Sequence, residues 1–137
     1  MTINRSNVLI VDDDRQTRLK LTRSLEVQSR TVHAVESGEA ALQVLNTELY
    51  DVILLDILMP EMDGFEVLHA LKADSRLSKI PVIVISADED AQSEEKCLQL
   101  GAYAFLPKPV DANLLNIRVD ECLNECPNKE IGLDQKT

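Results

Sequence analysis

Residues 51–64 read DVILLDILMPEMDG, and the order of residue types in that stretch decides the fold. Val52-Ile53-Leu54-Leu55 is an unbroken apolar run of strand length. Such a run has no wetted face, so it belongs to a strand covered on both sides, the usual condition of a parallel sheet. It stops at Asp56. A loop containing Pro60 follows, and Gly64, after Met62-Asp63, serves the turn into a helix whose apolar residues Phe65, Leu68 and Leu71 recur at helical spacing.

Outward from this stretch the same grammar repeats. Val8-Leu9-Ile10-Val11 and Val82-Ile83-Val84-Ile85 are also continuously apolar and largely β-branched, while Val32-His33-Ala34-Val35 and Ala102-Tyr103-Ala104-Phe105-Leu106 are mixed runs of strand length. Helical spacing appears between them, at Leu21 and Leu25 and at Ala41, Val44 and Leu45. Leu115, Val119, Cys122 and Cys126 form an apolar stripe on a last helix that Asp111 caps, and Asp14 is the N-cap of the first. The order βαβαβαβαβα implies right-handed crossovers and a doubly wound α/β domain with a five-stranded parallel sheet and helices on both faces. A ligand site is then expected beyond the carboxyl ends of the strands.

A chain of 137 residues with 45% apolar and 28% charged residues has the size of one domain. Its 14 Lys and Arg stand against 24 Asp and Glu, a net charge of −10, which argues against direct binding to nucleic acid. No apolar run approaches the ~20 residues that span a bilayer, and Met1 to Ser6 lack the apolar stretch of a secretory signal, so no membrane association and a cytoplasmic location are expected. Three cysteines do not make a disulfide framework, and Asn4-Arg5-Ser6 is a chance match to a glycosylation sequon. The segment from Pro127 to Thr137, polar apart from Ile131 and Leu133, reads as an unstructured tail or the start of a linker.

Polar residues stand at the strand ends: Asp12-Asp13-Asp14 after the first run, Asp56 after the third, Ser86 after the fourth, and Lys108 after Pro107 at the fifth. Gathered in one crevice, carboxylates ~4 Å apart repel by roughly 4 kcal/mol per pair at an effective dielectric of about 20. Proton uptake, a cation or a bound divalent metal relieves that repulsion. A few hard oxygen ligands favour Mg²⁺ completed by water. A carboxylate beside Mg²⁺, with a hydroxyl and an ammonium at hand, is equipped to accept a phosphoryl group, Asp56 being the nucleophile and Ser86 and Lys108 the partners of the transferring oxygens.

With these residues in place the chain resembles the response-regulator receiver domains of two-component signalling. The resemblance rests on VLIVDDD (8–14), DVILLDILMPEMDG (51–64), VIVISA (82–87) and GAYAFLPKP (101–109), and it covers residues 6–126. It implies the strand order 2-1-3-4-5. It also implies that Asp56 is the phosphoacceptor, that Asp12, Asp13, Asp56 and the backbone carbonyl of Leu58 hold Mg²⁺, and that Ser86 and Phe105 are the switch pair. Lys108 becomes the phosphate-pairing lysine, and Lys108-Pro109 a peptide bond that is often cis in the family. Phe105 stands where Tyr is frequent, which removes a hydroxyl.

Such a domain takes its phosphoryl group from a histidine kinase or a histidine phosphotransfer protein and is not a dedicated enzyme. It then alters the face made by the fourth helix, fifth strand and fifth helix to control a partner or output, or serves as a phosphoryl relay or sink. A phosphorylation-dependent homodimer is possible in the family. One dimerising subfamily carries a Gly-Ala-Asp-Asp-Tyr pattern at the fifth strand, and here Gly101-Ala102-Tyr103-Ala104-Phe105 lacks both acids, leaving Tyr103 as a contact or a packing residue.

Two rivals fit less well. A haloacid-dehalogenase-type phosphatase needs Asp-x-Asp-x-Thr/Val, but Gln16 occupies the last place after Asp12-x-Asp14, and a pseudo-receiver would not need the full set of Asp12, Asp13, Asp56, Ser86 and Lys108. Leu58 and Asp88 lie two residues beyond Asp56 and Ser86 and flank the site. Cys122 and Cys126 read as core and Cys97 as a fourth-helix residue. His33 and His69 lie off the strand ends and receive no phosphotransfer role.

Overall fold

The computed structural model describes residues 6–27, 29–87 and 91–125, so Asp88, Cys126 and the segment 127–137 lie outside the described residues. Five strands alternate with five helices: β1 (Ser6–Val11), α1 (Arg15–Leu25), β2 (Arg30–Val35), α2 (Gly38–Leu45), β3 (Val52–Leu55), α3 (Gly64–Ala73), β4 (Val82–Ser86), α4 (Ala91–Gln99), β5 (Ala104–Pro107) and α5 (Ala112–Glu125). The sheet order is β2-β1-β3-β4-β5 and every pairing is parallel. This is the doubly wound, flavodoxin-like order that the resemblance implied.

The three continuous apolar runs form the central strands, and all of their apolar residues are buried. Alternation along them feeds two cores. Leu9, Val11, Ile53, Leu55, Val82 and Val84 pack toward α2, α3 and α4, whereas Val8, Ile10, Val52, Leu54, Ile83 and Ile85 pack toward α1 and α5. Cys97 joins the first core and Cys122 the second, so both thiols are packing residues.

Helix starts follow local chemistry. The Asp14 carboxylate accepts from Thr17 N–H at 3.0 Å, and the Asp111 carboxylate accepts from Leu114 N–H at 2.9 Å. At α3 a full capping box forms, in which Glu66 N–H donates to Asp63 and Asp63 N–H donates to Glu66.

The edge strands differ from the sequence expectation at their starts. β2 begins two residues early, at Arg30, whose guanidinium is buried against the Leu25 carbonyl, Asn116 and, at 2.6 Å, Asp120. β5 begins at Ala104 rather than Ala102, because residues 101 and 102 close α4. Gly101, at φ 104°, and Ala102 donate to the Leu98 and Cys97 carbonyls in a Schellman motif.

Candidate functional site

Parallel register levels the strand ends, and that levelling builds the site. Val11 pairs with both Val35 and Leu55, Leu55 with Val84, and Ser86 with Pro107. The residues that follow β1, β3 and β5 therefore emerge together with the last residue of β4 at one edge of the sheet. Asp12 N–H bonds the Val35 carbonyl, Asp56 N–H the Val11 carbonyl, and Lys108 N–H the Ser86 carbonyl, each extending the ladder by one step.

Asp12 is 2% exposed and its carboxylate is held on both sides. Oδ1 accepts from Asp14 N–H at 2.8 Å, and Oδ2 accepts from Lys108 Nζ at 2.9 Å. Asp56, 4% exposed, accepts from Leu58 N–H at 3.2 Å, and its other oxygen lies 3.5 Å from the same ammonium. Asp13 is exposed, yet an oxygen of each of Asp12, Asp13 and Asp56 lies within 4.8 Å of the others. Among the described residues no second acidic group of this kind occurs.

Burial pushes the Asp56 carboxyl up to about 6, reinforced by the Asp12 charge and opposed by Lys108. Burial works against the Lys108 ammonium too, but its bond to Asp12 and the attraction of Asp56 outweigh it and raise its pKa. At neutral pH the site thus holds carboxylates in need of positive charge beside one ammonium. Hard oxygen donors this close suit Mg²⁺, whose opposite octahedral ligands lie about 4.2 Å apart.

Ser86 is fully buried. It is two residues beyond Val84, whose register partner is Phe105, and Val84 and Phe105 share the core on the α3 and α4 side. Alternation therefore puts Ser86 on the sheet face that Phe105 occupies. The Lys108-Pro109 bond is cis. The Leu58 side chain is 53% exposed beside the site.

The histidines stay away from this edge. His33 is bonded through Nδ1 to the Tyr50 hydroxyl at 2.6 Å, and His69 is exposed on α3. Tyr103 is 38% exposed and its hydroxyl meets Glu121 of α5 at 3.5 Å, so packing against a helix and exposure both hold.

Two contributors went unassigned at the level of sequence. Arg18 donates from Nη1 to the Asp12 carbonyl at 2.7 Å, bracing the turn that carries the acidic pair. Its signal was its place in the first turn of a capped helix, where side chains lean back toward the N-terminus. Gly64 is more than a turn residue: a Cβ there would sit 2.5 Å from Ile57 Cα and 2.6 Å from the Asp56 carbonyl oxygen. The N-terminus of α3 rests directly on the backbone that carries Asp56, and Gly64 N–H donates to the Ile57 carbonyl at 2.9 Å.

The family described as response regulator receiver domain matches residues 8–120. The chain belongs to that family. Among its curated relatives, the two-component response regulator ORR5 of Oryza sativa subsp. japonica is 40% identical over 105 residues, covering 76% of this chain and 78% of the relative. A probable cyclic di-GMP phosphodiesterase of Vibrio cholerae serotype O1 is 35% identical over 133 residues, 97% of this chain but 30% of that protein. The DNA-binding transcriptional regulator NtrC of Proteus hauseri matches over 80% of this chain and 23% of its own length. This chain therefore spans a third or less of those two longer relatives.

Solved receivers share the fold. The Francisella response regulator 1452 receiver domain superposes with TM-score 0.80 at 30% identity, covering 88% of this chain and 98% of that one. A putative response regulator from Chloroflexus aurantiacus gives 0.84 at 28% identity, over 89% and 100%. Phosphorylation and Mg²⁺ binding at an acidic pocket are typical of receivers. No helix among the described residues is long and apolar enough to cross a membrane.

Proposed function

We propose that this receiver is a phosphorylation-dependent switch that accepts a phosphoryl group on Asp56. The observation that carries the proposal is the position of Asp56, buried at the end of β3 within 4.8 Å of two further carboxylates and 3.5 Å from the Lys108 ammonium. Asp12, Asp13, Asp56 and the Leu58 carbonyl would hold Mg²⁺, which supplies charge neutralisation for the transferring oxygens. The donor is a phosphohistidine of a histidine kinase or phosphotransfer protein. An Asp56 oxygen attacks phosphorus, the P–N bond breaks, and the imidazole nitrogen takes a proton. Lys108 and Ser86 bind the phosphoryl oxygens. Water later attacks the same phosphorus, restoring the carboxylate and releasing inorganic phosphate.

Residues 6–126 form this unit, and 127–137 a tail or the start of a linker. Shifting a two-state population from roughly 1:99 to 99:1 requires about 5.5 kcal/mol. Two charge-assisted hydrogen bonds, from Ser86 and Lys108, at about 1.5–3 kcal/mol each, are of that size. Ser86 moving toward phosphate vacates room for Phe105 on the same sheet face and reshapes the surface of α4, β5 and α5. That surface controls a partner or output domain, or a phosphorylation-dependent homodimer, in the cytoplasm and without direct nucleic-acid contact by this acidic chain.

The test is intact mass after incubation with Mg²⁺ and a small-molecule acyl phosphate. One phosphoryl adduct is expected on the wild type and none on Asp56→Asn or on chelated protein. An adduct that survives Asp56→Asn overturns the assignment.

A further inference from the structure

The two carboxylates that follow β1 are held in different ways. Asp12 is fixed through its side chain, Oδ1 accepting from Asp14 N–H at 2.8 Å and Oδ2 from Lys108 at 2.9 Å. Asp13 is exposed, and its carboxylate forms no hydrogen bond or ion pair with any described residue. Its place within 4.8 Å of Asp12 and Asp56 is therefore set by the backbone that carries it.

That backbone lacks a ladder donor at one point. In a parallel pair a residue turns its N–H and C=O to the same neighbour, so Asp12, whose N–H bonds the Val35 carbonyl, also points its carbonyl toward β2. The next donor along the ladder would be residue 37. Ser37, however, has left the sheet to cap α2, and no backbone N–H among the described residues reaches the Asp12 carbonyl. Arg18 takes that donor's place, with Nη1 2.7 Å from the carbonyl oxygen.

The Asp12 C=O belongs to the planar peptide that leads into Asp13, so a bond that fixes its direction also fixes where Asp13 leaves that plane. Asp12 is buried, and a buried carbonyl deprived of its donor is costly enough to turn the peptide toward another. Mg²⁺ is sensitive to such a displacement, since it demands near-ideal octahedral geometry at about 2.0–2.1 Å, whereas Ca²⁺ accepts longer and more varied bonds.

We propose that Arg18 is a positioning residue of the metal site: it stands in for the ladder donor, fixes the peptide between residues 12 and 13, and thereby holds Asp13 where Mg²⁺ rather than Ca²⁺ requires it. The inference rests on the reading of Asp12, Asp13 and Asp56 as a Mg²⁺ site. Its sign sets it apart from a field effect. A guanidinium near a divalent cation repels it, so charge alone would make removal of Arg18 tighten binding, whereas lost positioning loosens it.

Mg²⁺ and Ca²⁺ are titrated separately into the full 137-residue chain with no phosphoryl donor, and binding is followed by the amide shifts of residues 12–14 and 56–58. Arg18→Met keeps the stem and removes the donor. It should bind Mg²⁺ about tenfold more weakly, the size expected for losing a residue that orients a metal ligand, and Ca²⁺ less than about threefold more weakly. Arg18→Gln, too short to reach the carbonyl, should behave like Arg18→Met, and Arg18→Lys, which keeps a donor of similar reach, should recover most of the Mg²⁺ affinity. Arg15→Met removes a charge from the same turn of α1 and should bind Mg²⁺ at least as tightly as the wild type. Urea unfolding sets the conditions in which each variant is folded. Mg²⁺ affinity unchanged or tightened in Arg18→Met, equal losses for the two cations, or no recovery in Arg18→Lys overturns the role of Arg18 and leaves the metal site standing. Absence of Mg²⁺-dependent shifts at these residues in the wild type overturns the metal site itself, and the role of Arg18 with it.

Discussion

Lys108 stands closer to Asp12 than to Asp56: its Nζ is 2.9 Å from Asp12 Oδ2 and 3.5 Å from Asp56 Oδ2. One ammonium is thus shared by two buried carboxylates, and the unequal sharing leaves Asp56 the less neutralised. Burial and the Asp12 charge then dominate its titration, which lies near about 6 in spite of the lysine. Lys108→Met should move the Asp56 pKa further up, because the opposing attraction is gone while the burial stays. Carboxyl-carbon NMR across a pH series reads this directly, and a pKa that stays at or below about 6 in the variant would show that Lys108 does not set the field at Asp56.

The same shift makes Asp56 a source of instability at neutral pH. Its folded pKa, raised from 3.8 to about 6, means that the folded state holds a proton the unfolded state has released between those values. Stability from this group is complete below about pH 4 and is lost as pH rises through 6, a cost of about 3 kcal/mol above that window. Asp56→Asn removes the ionisation and should stabilise the protein by about 3 kcal/mol at pH 7, the gain shrinking toward zero near pH 4. Urea unfolding of both proteins at several pH values checks it. A constant difference across the series would mean that ionisation is not its cause.

Which features were legible in the sequence follows from how local their causes are. β1, β3 and β4 announced themselves because strands covered on both faces must be apolar at every position, and Asp56 and Lys108 stood out as polar residues placed where those runs stop. The edge strands were less clear. Arg30 belongs to β2 only because Asn116 and Asp120, far along the chain, surround its guanidinium, and β5 starts late because Gly101 is spent on closing α4. The carbonyl brace from Arg18 follows from its place in the capped first turn of α1, whereas the close approach at Gly64 is a backbone contact that no spacing encodes.

Arg30 offers a separation of stability from chemistry. It is 6% exposed and ties the start of β2 to the end of α1 and to α5, at the sheet edge opposite the acidic site. Arg30→Ala leaves the Leu25 carbonyl without that donor and removes the packing of a long stem, so a loss of about 2 kcal/mol is expected. Under conditions where the variant stays folded, its phosphoryl adduct with the acyl phosphate should match the wild type. Urea unfolding and intact mass together decide it, and a lost adduct in a fully folded variant would connect the two sheet edges in a way the contacts do not.

Gly64 and Gly38 make a paired test of how tightly the phosphoacceptor is seated. A Cβ at Gly38 would meet Val67 Cγ2 at 2.5 Å and Met62 Sδ at 3.0 Å, side-chain atoms that are not part of the backbone carrying Asp56. At Gly64 the obstacles are backbone, Ile57 Cα at 2.5 Å and the Asp56 carbonyl oxygen at 2.6 Å, and neither moves without the chain. Gly64→Ala must either lift the N-terminus of α3, stretching the 2.9 Å bond from residue 64 to the Ile57 carbonyl, or push the backbone of Asp56 out of line with its partners. Overpacking of this kind costs about 1–3 kcal/mol. Displacing a reacting carboxylate by as little as about 1 Å costs up to roughly a hundredfold in rate. Gly64→Ala should therefore lose about 2 kcal/mol in urea unfolding and slow adduct formation at least about tenfold in folded protein, while Gly38→Ala, whatever stability it loses, keeps its rate in folded protein. Equal effects of the two substitutions on adduct formation would mean that the contact between α3 and the end of β3 does not position Asp56.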